Sequence, residues 1–298
     1  MVRTQAADVP LQLGGAWRAR HRSWRRLRHH PLFWIGAVIL VFLVLFCFAV
    51  PLVWHPSTDI DVAAMSLPPS LRFPLGTDAL GRNNLWTMMI GGHLPIVSGF
   101  AAAVAATALG TATGLGAALY RRLEAPLLRL ADAILGIPQI VPVLIAEAIL
   151  GVHAVLLIGV VTLTLWPATT RLVWARALVL RELPYVDAAR AGGASGPRIL
   201  LRHVLPNSAD TVIASFASQF GNAVLFIAIA ALPGIGAGLG FPADWATMVA
   251  TGFNMSNWSW WLFIPPGACL ALLIISVFLI CEALRQALDP YVEGGGAA

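Results

Sequence analysis

Residues 181–207 read RELPYVDAARAGGASGPRILLRHVLPN, a polar, Arg-rich stretch set between two long apolar runs. Pro184 suits a first helical position, where its missing N–H has no bond to lose, and Asp187 then falls near the positive end of the helix dipole. Such a helix lasts about two turns. Gly192 and Gly193 supply the positive-φ conformation that ends it, Ser195, Gly196 and Pro197 signal a new start, and Pro206 closes the second helix. The stretch is therefore expected to form a short helical hairpin pinned between membrane spans, a shaped plug for another protein.

The flanking runs set the class. Of the 298 residues, 58% are hydrophobic and 11% charged, against roughly a quarter charged in a soluble domain. An integral, all-α membrane protein is expected. The net charge of +5 comes from Arg alone, since the chain has no Lys, and the Arg positions follow the apolar runs rather than a nucleic-acid groove. Cys47, Cys269 and Cys281 stand singly inside apolar runs, without metal or redox spacing, and read as packing residues.

Six spans are expected, at about 32–54, 94–120, 127–150, 152–174, 209–232 and 262–284. The first is too long for a signal-peptide core and lacks a small-residue cleavage site, so it reads as a retained span. Before it, residues 1–31 form a basic tail in which Arg18, Arg20, Arg22, Arg25, Arg26 and Arg28 alternate with Trp17 and Trp24. That tail suits an anionic membrane surface and equally well serves as a topology signal. His55 to His93 reads as a polar loop. In the second span Gly110, Gly114 and Gly116 are expected to form one closely packed face. Pro138 and Pro142 are expected to kink or unwind the third. Gly234, Gly236, Gly238 and Gly240 open the loop after the fifth, and Trp245, Trp258, Trp260 and Trp261 suggest an interfacial belt there. Seventeen Arg then fall on one side of the membrane and only Arg72 and Arg82 on the other. This bias assigns both termini and the hairpin to the cytoplasm.

Glu147 lies deep in the third span, where an ionised carboxylate is costly. It either lines an aqueous path or sits near the far interface, close to Gly151 and His153. Gln219, Asn222 and Asn254 are weaker polar candidates, with interhelical hydrogen bonding the simpler role for the first two. No nucleophile and base converge in sequence, and no HExxH or GxSxG pattern occurs. A Gly-Lys-Ser or Gly-Lys-Thr phosphate loop is absent, so energy for any pumping must come from a partner. A stand-alone channel or secondary transporter is the different-class alternative; it would not need the hairpin.

The hairpin resembles the EAA loop of bacterial ABC importer permeases: Asp187-Ala188-Ala189, then Gly193, then Leu205-Pro206 and Asn207. Asp187 stands where Glu is usual. Gly76-Thr77-Asp78 with Leu80-Gly81-Arg82 resembles the GTDxLGRD signature of dipeptide and oligopeptide permeases, with Asn83 in place of an acid. Asp132 with Pro138, and Leu284-Arg285 through Leu288-Asp289-Pro290, also look like that branch. The resemblance covers about residues 32–290 and leaves 291–298 as a tail. It implies a type I permease in a multi-pass arrangement in the bacterial cytoplasmic membrane, itself non-catalytic. Similar proteins pair with a second permease, two ATPase subunits that bind ATP and Mg, and an extracytoplasmic solute-binding protein. On that likeness Tyr185, Asp187, Ala188, Ala189, Arg190, Gly193, Leu205 and Pro206 meet the ATPase. Gly76, Thr77, Asp78, Gly81 and Arg82 mark the outer loop; their bottom-up reading is a turn in which Thr77 or Asp78 caps the next helix. Peptides are the implied solute, with nickel chelates, glutathione-like compounds and other small solutes as alternatives.

Overall fold

A computed structural model describes residues 27–54, 61–150, 154–231, 244–254 and 259–288. The basic tail up to residue 26, the glycines at 234–240, Trp258, His153, Asp289 and Pro290 lie outside them. The described chain is helical; its only extended pairing is an isolated antiparallel bridge between Thr77 and Asn83. Among the described residues five helical stretches are long and apolar enough to cross a membrane: Pro31–Val53 (α1), Asn84–Leu119, Ala154–Arg181 (α6), Ala209–Ala230 and Trp260–Leu288 (α11). The second comprises a short helix Asn84–Gly91 (α2) and a long one His93–Leu119 (α3). Arg121–Leu135 (α4) and Ile140–Leu150 (α5) form a pair bent by 76°. The hairpin helices are Pro184–Ala191 (α7) and a run from Gly196 to Asn207 (α8), followed by Ala209–Ala231 (α9) and Trp245–Asn254 (α10).

Whether the bent pair crosses or turns back follows from helix directions. The Thr162 hydroxyl reaches the Ala102 carbonyl, Gly110 lies under Trp166 and Thr169, and Gly114 lies under Thr170. Partners advance together along both chains, so α3 and α6 run parallel. The chain must therefore return to the starting end between them, and α4–α5 makes that return: it is one broken crossing, the sixth. Arg176 pairs with Asp210, and Gln219 with Leu165 and Thr169, so α9 runs antiparallel to α6. His30 bonds Gln286 and Gly36 packs on Ser276, making α1 and α11 antiparallel. Both ends of the described bundle thus lie at the hairpin end.

The break falls where Pro138 forbids a continuous helix, after Gly136. Pro142 does not interrupt anything, contrary to expectation. It occupies the first turn of α5, where no intrahelical N–H bond exists to lose. With 11 residues, α5 spans about 16 Å, half a hydrocarbon core, and α4 supplies the remainder obliquely. Arg171 of α6 holds Asp132 of α4 in an ion pair.

Two other prolines are absorbed by wide π turns. Val50 N–H reaches back to Leu45 O just before Pro51, and Leu205 N–H to Leu200 O just before Pro206. The extra residue relieves the clash of each ring with the turn below. The Cys47 carbonyl, four residues before Pro51, accepts from His93 Nε2 at 2.6 Å. Pro206 accordingly does not close its helix; the chain breaks at Ser208, which has φ −101 and ψ 5.

Three further expectations are corrected. A Cβ on Gly110 would lie 2.5 Å from Thr169 Cβ and one on Gly114 2.6 Å from Thr170 O, whereas one on Gly116 would meet nothing within 4 Å. Residues 110 and 114 are one turn apart and share a face; residue 116 is two positions on and points elsewhere. Trp245 is no belt residue. It is wholly buried, with Nε1 donating to Met88 O at 2.6 Å, while Trp260 is half exposed. Finally, the segment read as a polar loop contains α2, whose Trp86, Met88 and Met89 are buried.

Candidate functional site

The hairpin is locked at its root and open at its tip. Leu183 is extended (φ −81, ψ 144), Pro184 opens α7, and Asp187 lies in the first turn. At the other end Ala194 N–H reaches Ala189 O and Gly193 N–H reaches Arg190 O, both at 3.0 Å. That bond pair is the Schellman motif, which requires a left-handed residue. Gly193 supplies it with φ +80, whereas Gly192 is at φ −76 and contributes no positive φ.

Val186, Ile199 and Val204 are buried against Leu115, Ala118, Val173, Ala177 and Leu180 at the ends of α3 and α6. Each such side chain contributes about 1.5–3 kcal/mol of apolar burial. Guanidiniums add caps. Arg181 Nη1 donates to Ala118 O at 2.8 Å, while Arg190 donates to Asp187 Oδ1 at 2.8 Å and to Arg181 O at 3.2 Å. Each satisfies a carbonyl that a helix end leaves unpaired. Partial burial pushes the phenol of the otherwise exposed Tyr185 above its ordinary value, against the opposing charge of Arg176 and a hydrogen bond with Asn207.

Of the residues singled out from sequence, Tyr185, Asp187, Ala188, Gly193 and Pro206 are exposed together on the hairpin. Ala189 and Leu205 instead turn toward the root cluster. Arg190, half exposed, is engaged with Asp187 and α6 as well as facing solvent. Sequence reasoning passed over Arg181 and the Arg176–Asp210 bridge, at 3.2 Å. Their partners are remote in sequence, and no local pattern announces them.

At the opposite end Gly76, Thr77, Asp78, Gly81 and Arg82 close a compact loop. Thr77 is fully buried; its hydroxyl donates to Ala64 O and accepts from Leu67 N–H at 2.8 Å. Asp78 accepts from Leu80 N–H and Arg82 N–H and pairs with Arg82 Nε at 2.8 Å. Gly76 and Gly81 have φ +65 and +77. Neither Thr77 nor Asp78 caps α2, because the helix starts later. Asn83 caps it, accepting from Leu85 N–H at 3.1 Å. Asn and Asp serve that role about equally, which accounts for the amide in an acid's place.

In the bundle, Glu147 is 5% exposed and both carboxylate oxygens lack a hydrogen-bond partner among the described residues. It lies one turn from the buried Val143, on the α5 face that packs in a cluster with Leu157, Val161 and Ile227. Gln219 is also buried and donates to Leu165 O at 3.2 Å and Thr169 Oγ1 at 3.0 Å, linking α9 to α6. Asn222 is half-buried.

Comparison with known proteins decides what these parts belong to. The family described as binding-protein-dependent transport system inner membrane component matches residues 106–293. The chain belongs to this permease family. A second family, the N-terminal transmembrane domain of oligopeptide transport permease C, matches residues 19–69 of the permease. A putative peptide transport system permease protein of Brucella abortus is 37% identical over 275 residues, covering 91% of this permease and 92% of the relative. A probable D,D-dipeptide transport system permease protein of Escherichia coli is 33% identical over 273 residues, 90% of each. The chain is thus a multi-pass membrane component of the peptide and dipeptide transport permease class, and the matched core contains the hairpin, the broken crossing and Glu147.

Proposed function

We propose that this permease forms half of the translocation path of an ATP-driven peptide importer in the bacterial inner membrane. The observation that carries the reading is the hairpin: its root is packed and capped onto α3 and α6, while its tip offers Tyr185, Asp187 and Ala188 to a partner. A lever of that kind turns a push on the tip into movement of the spans behind it. The motor is a pair of ATPase subunits that hold ATP and Mg. A second related permease completes the path, and an extracytoplasmic binding protein delivers solute. The Arg asymmetry supports a cytoplasmic position for the hairpin and the termini.

In this mechanism the closed ATPases draw the two hairpins together, α6 follows with α3 as a unit, and the cavity between permeases opens outward. Hydrolysis returns it. The two states differ in stability according to nucleotide occupancy, which is what alternating access requires. The break at Pro138 gives the bundle a joint where α4 and α5 change their angle. Glu147 and Asn222 are the path candidates, with Gln219 tying α9 to α6 beside them. A carboxylate buried without a partner suits recognition of a cationic amine, as on a peptide N-terminus. Peptides are the solute the relatives' names favour; nickel chelates, glutathione-like compounds and other small solutes are the alternatives.

Reconstitution tests the reading. The permease pair with its ATPases in proteoliposomes is expected to accumulate peptide only with ATP and binding protein. Uptake by this chain alone would refute it in favour of a self-contained carrier. Ala188→Cys is expected to react with an impermeant thiol reagent only from the inner face.

A further inference from the structure

Behind the hairpin root lies a cavity of about 180 Å³. Leu119, Ala177, Ile199 and Val204 form its apolar wall, and Arg181 and Arg190 bring guanidiniums to it. The geometry points to a binding site for one anionic phospholipid, its phosphate held by these two guanidiniums and part of an acyl chain lying against the wall. This proposal stands apart from the transport reading, since it requires only that the bundle sit in a bilayer.

Three observations support it. Each guanidinium carries five N–H donors. Arg181 gives one to Ala118 O and holds Glu182 at 3.6 Å through Nε, and Arg190 gives one each to Asp187 and Arg181 O, so both keep donors free for a phosphate. The surroundings are cationic. The two stretches around the cavity carry Arg121, Arg122, Arg181, Arg190, Arg198 and Arg202 against Glu124, Glu182 and Asp187. Among the described residues Arg121, Arg122, Arg198 and Arg202 make no ion pair. Depth then selects the source of the phosphate. The apolar run of α3 ends at Leu119, which lines the cavity, and is followed by Tyr120, half exposed, and two Arg. That succession of side chains marks a headgroup boundary. A site with an apolar wall and a cationic mouth at this level matches an amphiphile, whereas a free phosphate has nothing to place against the wall.

Occupancy bears on the hairpin directly. Ile199 and Val204 belong to α8 and Leu119 and Ala177 to α3 and α6, so a bound chain fills the joint between lever and spans. Filling removes the unsatisfied van der Waals surface that lets a joint shift.

The test uses the full chain in mild detergent with equal amounts of phosphatidylglycerol and phosphatidylcholine, read by native mass spectrometry. One phosphatidylglycerol is expected to be retained on the order of tenfold more often than phosphatidylcholine. The double variant Arg181→Gln/Arg190→Gln is expected to lose that preference. Arg121→Gln/Arg122→Gln, which removes equal charge just past the end of α3 and outside the cavity lining, is expected to keep it. Equal losses in the two variants would mean general attraction to a basic surface and overturn the site. Displacement by millimolar inorganic phosphate would overturn the lipid in favour of a free anion. Because Arg181 and Arg190 also cap helices, Ala177→Leu supplies an independent arm. It adds volume to the cavity wall, removes neither guanidinium, and is expected to abolish retention; unchanged retention would refute the acyl contact.

Discussion

Adjacent glycines in the hairpin are expected to respond to alanine with opposite signs. Gly193 has φ +80 and open space around a would-be Cβ, so the cost of Gly193→Ala is purely conformational. Placing an L-residue in the left-handed region costs about 1–2 kcal/mol. Gly192 has φ −76, and its Cβ would sit 3.4 Å from Ala188 O and 3.5 Å from Ala189 O, ordinary contacts. There alanine restricts the unfolded chain without straining the fold and stabilises by about 0.4–1 kcal/mol. The affected bonds are Gly193 N–H to Arg190 O and Ala194 N–H to Ala189 O. Hydrogen exchange of the hairpin peptide, measured by mass spectrometry on the full chain in nanodiscs, reads them. Gly193→Ala should exchange about 5–30-fold faster, Gly192→Ala more slowly than wild type, and Gly193→Asn between the extremes. Equal acceleration at both positions would refute the left-handed cap and the rigidity assigned to the lever.

Other outcomes follow from the same geometry. Gly114→Leu is expected to lower the melting temperature in detergent and part α3 from α6, since even a Cβ would lie 2.6 Å from Thr170 O, while Gly116→Leu is expected to be neutral. Glu147→Gln keeps volume and removes charge; peptide uptake by the reconstituted complex is expected to change for solutes with a free amine and not for N-acetylated ones, and uniform uptake would leave Glu147 structural. Burial pushes the Asp244 carboxyl above its ordinary value of 3.8, although Thr247 N–H and hydroxyl hold it back. A carboxyl with a raised folded pKa favours folding most below its unfolded pKa, and that contribution is lost as pH rises through the folded value. The Asp244→Asn variant keeps the cap to Thr247 N–H, now at 2.7 Å, so its melting temperature is expected to exceed that of wild type increasingly as pH rises from about 4 toward 7.

Much of the bundle was legible because bilayer solvent imposes long apolar runs, and α1, α3, α6, α9 and α11 could be read from hydropathy alone. Boundaries were less legible. The fourth span was expected to stop near Trp174 and runs on to Arg181, because no Gly or Pro lies between Trp174 and Pro184 and Arg side chains are good helix formers. The hairpin was legible through proline and glycine, whose conformational limits act locally. Its exposed face and its capping guanidiniums were not, since burial of Val186 and the reach of Arg181 depend on where α3 ends.

Sequence by itself determined that the chain lives in a membrane, where it is punctuated, and that one cationic hairpin stands between the fourth and fifth crossings, because composition and backbone freedom are properties of residues taken in order. The tertiary structure alone decided that the bent third segment crosses rather than returns, since this rests on the parallel contact of α3 with α6. It also decided that Trp245 is core, that Asn83 and not Thr77 or Asp78 caps α2, and that Glu147 is buried without a partner among the described residues. Each of these is a statement about which distant groups meet, and burial and pairing free energies belong to such meetings rather than to any residue alone.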